Sequence, residues 1–117
     1  TFHNLLVLVG KNAPLRAIAL INVLERQPEL RKRVDAAVRV GDRRWNIRMN
    51  NGTYIHLPEN NTVAAWNRFA KLERQYKLLS KDILSIDLRI PGQLIIRTRN
   101  DQLENSRKNT TEKGENT

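Results

Sequence analysis

Hydrophobic positions in this chain recur in short blocks with two different periods. LLVLV at 5–9 is a continuous apolar run that stops at Gly10, the pattern of a buried strand. From 13 to 27 the period lengthens to that of a helix. Ile18, Ile21 and Leu24 recur on one face, and Leu20 and Leu24 lie four apart. Asn12 supplies an N-cap, Pro14 suits the first turn, and Pro28 ends the segment. PELRKR at 28–33 reads as a short helical turn with a basic end. VDAAVRV at 34–40 mixes strand-favouring valines with helix-favouring alanines, and strand is predicted for its second half. GDRR at 41–44 is a turn.

WNIRM at 45–49 alternates, with Trp45, Ile47 and Met49 on one face and Asn46 and Arg48 on the other. The NNG that follows is a hairpin loop whose length can be deduced. A two-residue loop would pair Ile47 with His56 and set the two apolar faces on opposite sides. A three-residue loop from Asn50 to Gly52 pairs Ile47 with Ile55 and Trp45 with Leu57, which keeps one apolar face. Gly52 is then expected in the left-handed conformation that such loops use.

NNT at 60–62 caps the longest predicted helix, 62–79. Its stripe is Ala65, Phe69, Leu72, Tyr76 and Leu79, widened by Trp66. This helix is expected to pack on a sheet. ILSIDLRI at 83–90 alternates again, with Leu84, Ile86, Leu88 and Ile90 inward and Ser85, Asp87 and Arg89 outward. Pro91-Gly92 turns the chain, and LIIRTR returns. Pro-Gly suits a type II turn, which matches tight hairpin twist poorly, so a connection longer than two residues is expected. The last strand has three consecutive apolar residues and no clean polar face. After Asn100 the composition becomes polar, with one Leu and no other apolar residue in the tail. Residues 101–117 are therefore expected to be disordered, beyond a single domain at 1–100.

Charge narrows the class of partner. The formal net charge is +9, and residues 1–100 hold 18 basic against 8 acidic residues. That points to an anionic partner: nucleic acid, an acidic membrane surface or an acidic protein segment. The chain has no cysteine, so disulfide scaffolds, thiolate metal sites and thiol nucleophiles are excluded. No apolar run reaches the ~20 residues of a membrane span. The chain opens on Thr1-Phe2-His3 rather than on Met, and a piece of a longer protein is expected.

Catalytic signatures are missing from the sequence. It contains no nucleophile elbow, phosphate loop, dinucleotide fingerprint or paired metal-binding histidines. Asp82 and Asp87 face different sides of an extended segment, and His56 falls on the polar face of its hairpin. No enzyme activity, cofactor or metal is expected. What remains are basic clusters at Arg31-Lys32-Arg33, Arg39, Arg43-Arg44, Arg48 and Arg97 with Arg99. A small basic nucleic-acid-binding domain is one reading of them. It is weakened because Trp45, Trp66 and Phe69 fall on core faces, whereas such sheets stack bases on exposed aromatics.

The ordered set RRWNIRMNNGTYIHLPENN, a helix containing RFAKLERQY, and ILSIDLRIPGQLIIRTR resembles the C-terminal half of the FtsQ/DivIB cell-division family. VLERQPELRKRVDAAVRVGDRRW resembles alphaproteobacterial members. The resemblance covers nearly all of residues 2–99. It implies most of a periplasmic β domain, with the family's transmembrane helix, its POTRA domain and the first strands of the β domain falling before Thr1. The implied fold is α+β, an antiparallel or mixed sheet with two helices packed on it and the C-terminal strand at an open edge.

The resemblance also implies a function. Family members are non-catalytic scaffolds of the division septum, anchored in the inner membrane, that bind FtsB and FtsL. FtsB adds a strand to the final strand, here Leu94, Ile95, Ile96 and Arg97, and its acidic residues meet basic ones. Arg43 or Arg44 matches one basic contact, and Lys81, six residues before Asp87, matches another. Ile90 stands where some members have a partner-contacting Tyr, and Arg97 falls near a Trp of the family's last strand. Proline at Ile95 would remove a backbone donor and is expected to weaken such pairing.

Overall fold

The computed structural model of the chain describes residues 7–10, 13–41 and 43–99. Six strands form one mixed sheet in sequence order: β1 (Val7–Val9), β2 (Val34–Val40), β3 (Arg44–Met49), β4 (Tyr54–His56), β5 (Ile83–Asp87) and β6 (Ile95–Thr98). Between them lie α1 (Ala13–Leu24), α2 (Pro28–Arg31), α3 (Thr62–Tyr76) and a 3₁₀ turn at Leu78–Ser80. The fold is α+β, as the sequence implies. The N-cap expected at Asn12 and the tail expected to be disordered lie outside the described residues.

β1 pairs parallel with β2 and β4 with β5, while the other pairs are antiparallel. Each parallel pair needs a crossover. α1 and α2 supply the first and α3 the second. Both crossovers step the same way between strands of the same direction, so right-handed connections put both helices on one face. The indole Nε1 of Trp66 donates to the Leu24 carbonyl at 3.1 Å, which ties α3 to the end of α1.

The core lies between that face and the helices. One row crosses all six strands: Leu8, Ala37, Ile47, Ile55, Ile86 and Ile96. Its four central members are fully buried, and its two ends only partly so. Trp66 and Phe69 of α3 pack over the row with ring centroids 5.8 Å apart. Among the described residues no helix covers the other face of the sheet, the open face. Its rows are Val9, Val38, Asn46, His56, Asp87 and Ile95, and Val7, Ala36, Arg48, Tyr54, Ser85 and Arg97.

The deduced β3–β4 hairpin is present. Ile47 pairs with Ile55, the Leu57 N–H bonds the Trp45 carbonyl at 3.0 Å, and Gly52 has φ +95°. Asn51 fixes the loop from both ends of its amide. Its Oδ1 accepts from the Thr53 N–H at 3.0 Å, and its Nδ2 donates to the Leu79 carbonyl at 2.6 Å.

Five expectations need correction. All of Val34–Val40 is strand, because its alanines are paired and buried within the sheet. α1 buries Ala17, Leu20 and Leu24, and Ile18 faces out at 75% exposure. α3 ends at Tyr76, because Lys77 adopts a left-handed conformation and its N–H closes onto the Glu73 carbonyl at 2.8 Å. That turn leaves Tyr76 half-exposed and swings Leu79 into the core from the 3₁₀ turn. Asn61, itself left-handed, makes no side-chain cap; the Thr62 hydroxyl donates instead to the Pro58 carbonyl.

The fifth correction concerns β5. The β5–β6 register slips between Ile83 and Ser85, a bulge that places Ile83 as well as Ile86 in the core. The bulge frees the Ile83 carbonyl, which the buried Thr53 hydroxyl satisfies at 2.8 Å. Ile90 is exposed rather than inward.

Candidate functional site

The β5–β6 connection is long, as expected: Asp87 pairs with Ile95. Within it the Gln93 N–H bonds the Ile90 carbonyl at 3.0 Å around Pro91 and Gly92, and Gly92 has φ +77°. This is the type II pattern. Arg68 of α3 donates to the Gln93 carbonyl at 2.8 Å and holds the connection against the helix.

β6 stands at the end of the sheet. Among the described residues no strand lies beyond it. Backbone parity follows from two bonds. The Leu88 N–H reaches the His56 carbonyl at 3.0 Å, so even-numbered residues of this segment face β4. Ser85 and Asp87 therefore face β6, and their partners Arg97 and Ile95 face back toward β5. The Arg99 N–H, directed at the Asp82 carbonyl, keeps the same parity. Leu94 and Ile96 consequently turn their N–H and carbonyl groups outward. Proline at Ile95 would thus disrupt the internal ladder; the outward-facing N–H groups in the strand are those of Ile96 and Thr98.

Beside this edge, on the helix face, lies a groove of about 420 Å³. Tyr76, Leu78, Ile83, Leu94 and Ile96 make it mostly apolar, and Lys81 and Asp82 stand at its rim. Asp82 also holds the end of β6, accepting from Arg99 Nε at 2.7 Å. The structure thus gathers Lys81, Leu94 and Ile96. Sequence reading missed Tyr76, which helical periodicity had assigned to a core stripe, and Leu78, which it did not single out. Their signal is the Lys77 turn, and nothing in the apolar pattern marks it.

Ile95 and Arg97 point to the open face. There Arg89 clasps Asp87 with Nε at 2.9 Å and Nη2 at 2.7 Å, and this fork holds the Asp87 carboxyl below the usual carboxylate range. His56 is the neighbour of Asp87 in the row and lies 2.8 Å from Asn46 Oδ1 through Nδ1. Burial pushes its pKa down; Asp87 opposes this, while Arg89, Arg44 and Arg97 add to it. Arg44 begins β3, and Arg43 is exposed in the β2–β3 turn. Arg43, Arg44 and Ile90 are not in the groove. No cluster of three or more His, Asp or Glu that could hold a metal occurs among the described residues.

Residues 1–89 match the family model for the C-terminal region of the cell division protein FtsQ/DivIB. The chain belongs to the FtsQ/DivIB cell-division family. Curated FtsQ proteins agree along most of its length. That of Bradyrhizobium diazoefficiens is 36% identical over 100 residues, which is 86% of this chain and 29% of the relative. That of Rhizobium meliloti is 40% identical over 89 residues, 76% of this chain and 29% of the relative. That of Caulobacter vibrioides is 33% identical over 98 residues, 84% of this chain and 32% of the relative. The chain therefore spans about three-tenths of the length of these FtsQ relatives. The family-model match ends at residue 89, before β6, whereas an alignment that covers 100 of the 117 residues includes β6. No described helix is long and apolar enough to cross a membrane.

Proposed function

We propose that the chain is a non-catalytic scaffold domain of the division machinery and that FtsB adds a strand along β6, with FtsL in the same assembly. The domain covers residues 1–100 and works on the periplasmic side of the inner membrane at the septum. The carrying observation is the coincidence at β6 of an outward-facing backbone at Leu94 and Ile96 with an apolar groove on the same side. Main-chain bonds along an edge supply affinity, and pockets for alternate side chains supply specificity. An added strand would set every second side chain over Tyr76, Leu78 and Ile96. The side chains between would meet Ile95 and Arg97 on the open face. Lys81 and Arg43 or Arg44 serve as basic contacts for acidic partner residues, and Ile90 borders the partner at the loop. The nucleic-acid reading loses ground, because Trp45, Trp66 and Phe69 are buried and cannot stack bases.

The test is binding of an FtsB-like peptide to Ile96→Pro and, separately, to Leu94→Asp. Each folded variant is expected to lose the peptide. Unchanged affinity in both, with native amide dispersion retained, would rule out addition at this edge.

A further inference from the structure

The apolar stripe Ala65, Phe69, Leu72, Tyr76 and Leu79 keeps helical spacing beyond the point where α3 stops. The sequence therefore offers a second arrangement for this segment, with the helix continued through Leu79. The folded chain takes the other course. Lys77 has φ 53° and ψ 49°, in the left-handed region. There the Cβ of an L-residue crowds the following carbonyl, and glycine is the usual occupant. Among the described residues, only Lys77 and Asn61 are non-glycine residues of positive φ, and asparagine is the more tolerant of the two. A lysine stays in such a conformation only where its surroundings enforce it.

The enforcement acts on Leu79. In a continued helix the Leu79 N–H would bond the Gln75 carbonyl. Here it donates to Glu73 Oε1 at 2.8 Å, and the Leu79 carbonyl accepts from Asn51 Nδ2 at 2.6 Å. Both clamping side chains are themselves held. Glu73 Oε2 accepts from Arg33 Nη1 at 3.3 Å, and Asn51 Oδ1 accepts from the Thr53 N–H at 3.0 Å. The Asn50 N–H bonds the Arg33 carbonyl at 2.7 Å, so one residue anchors both arms. The turn also decides where Leu78 points. As folded, Leu78 is buried and lines the β6 groove beside Tyr76. Continued helix geometry would set it on the face of Lys71 and Arg74, away from the stripe.

We propose that Glu73 and Asn51 are positioning residues for the β6 site: by gripping Leu79 they hold Lys77 left-handed and Leu78 in the groove wall. The inference rests on strand addition at β6 as the use of that groove. Partner affinity then depends on two side chains that line no part of the groove, because only the broken-helix form presents its wall. A site competent in a fraction of the molecules binds with an apparent affinity reduced by that fraction.

The experiment makes two measurements on Asn51→Ala and Glu73→Ala, each with and without Lys77→Gly. One is affinity for an FtsB-like peptide, and the other is the Cα chemical shifts of residues 77–80. Each alanine variant should bind roughly tenfold more weakly, the fall expected if the competent form drops to about a tenth of the molecules. Its shifts at 77–80 should turn helical. Lys77→Gly should restore both, because glycine takes the left-handed turn without steric cost and resists continuation of the helix. Glu73→Gln keeps an acceptor for the Leu79 N–H and should stay near the parent chain. Loss of a direct contact, or of general stability, would not be rescued by glycine at 77. The proposal is overturned if both alanine variants keep parental affinity, if affinity falls without the helical shift, or if Lys77→Gly restores neither. A parent chain that fails to bind the peptide overturns strand addition at β6 itself. The shifts alone then judge the clamp, and a helical turn in the alanine variants upholds it.

Discussion

Ile86 and Ile96 lie directly opposite each other on β5 and β6, and among the described residues only Ile86 has a strand on both sides. Backbone amides of β6 should therefore differ by parity. In hydrogen exchange followed by NMR, Ile95 and Arg97 are expected to exchange slowly and Ile96 quickly. An FtsB-like peptide should slow Ile96 selectively. Uniform protection across the strand before any partner is added would contradict the assigned parity.

Tyr76 separates stability from recognition. It is 52% exposed at the end of α3 and lines the groove. Tyr76→Ala should shift the urea midpoint by less than about 0.5 kcal/mol equivalent, as surface substitutions usually do. The same variant should bind an FtsB-like peptide several-fold more weakly. A large loss of stability with intact binding would place Tyr76 in the core instead.

Trp66 joins the two crossovers through its indole N–H. Trp66→Phe keeps a large apolar ring and removes the bond to the buried Leu24 carbonyl. A cost of about 1–3 kcal/mol is expected, measured by urea unfolding. A change well below that range would mean that the carbonyl finds another donor.

His56 and Asp87 predict an acid-sensitive fold. Both pKa values are lowered in the folded chain, so the unfolded chain binds protons more readily at each. The contribution from His56 is complete above its ordinary value of about 6.5 and is lost as pH falls through the lower folded value. Asp87 adds a second loss further down, once pH drops below the usual carboxylate range. Stability measured by urea should decline on acidification below about pH 6.5, and His56→Asn should flatten the upper part of that decline. An unaltered profile in the variant would assign the upper step to another group.

The hairpin of β3 and β4 was legible because alternation and loop length jointly fix one register. A two-residue loop would have split the apolar faces. The α1 face was not legible, because Ile18, Ile21 and Leu24 form as good a stripe as Ala17, Leu20 and Leu24. Only packing against the sheet and α3 distinguishes them, and the smaller Ala17 is the one buried. In β5 the bulge at Leu84 shifts the period midway, which no simple alternation can reveal. For the candidate site, the sequence marked β6 and Lys81. The groove's wall from Tyr76 and Leu78 depends on one left-handed lysine that no residue preference announces.

The two crossovers also govern the order in which the molecule can form. Closing a hairpin costs less chain entropy than joining strands across a helix. β2, β3 and β4 assemble from neighbouring segments, and so do β5 and β6, whereas β4 meets β5 only after α3 is spanned. On chain entropy that meeting is expected to be the late, committing step. The terminal hairpin arrives with it as a unit, and both walls of the groove come together only then. A chain caught short of that step has a nearly complete meander and no finished edge to offer.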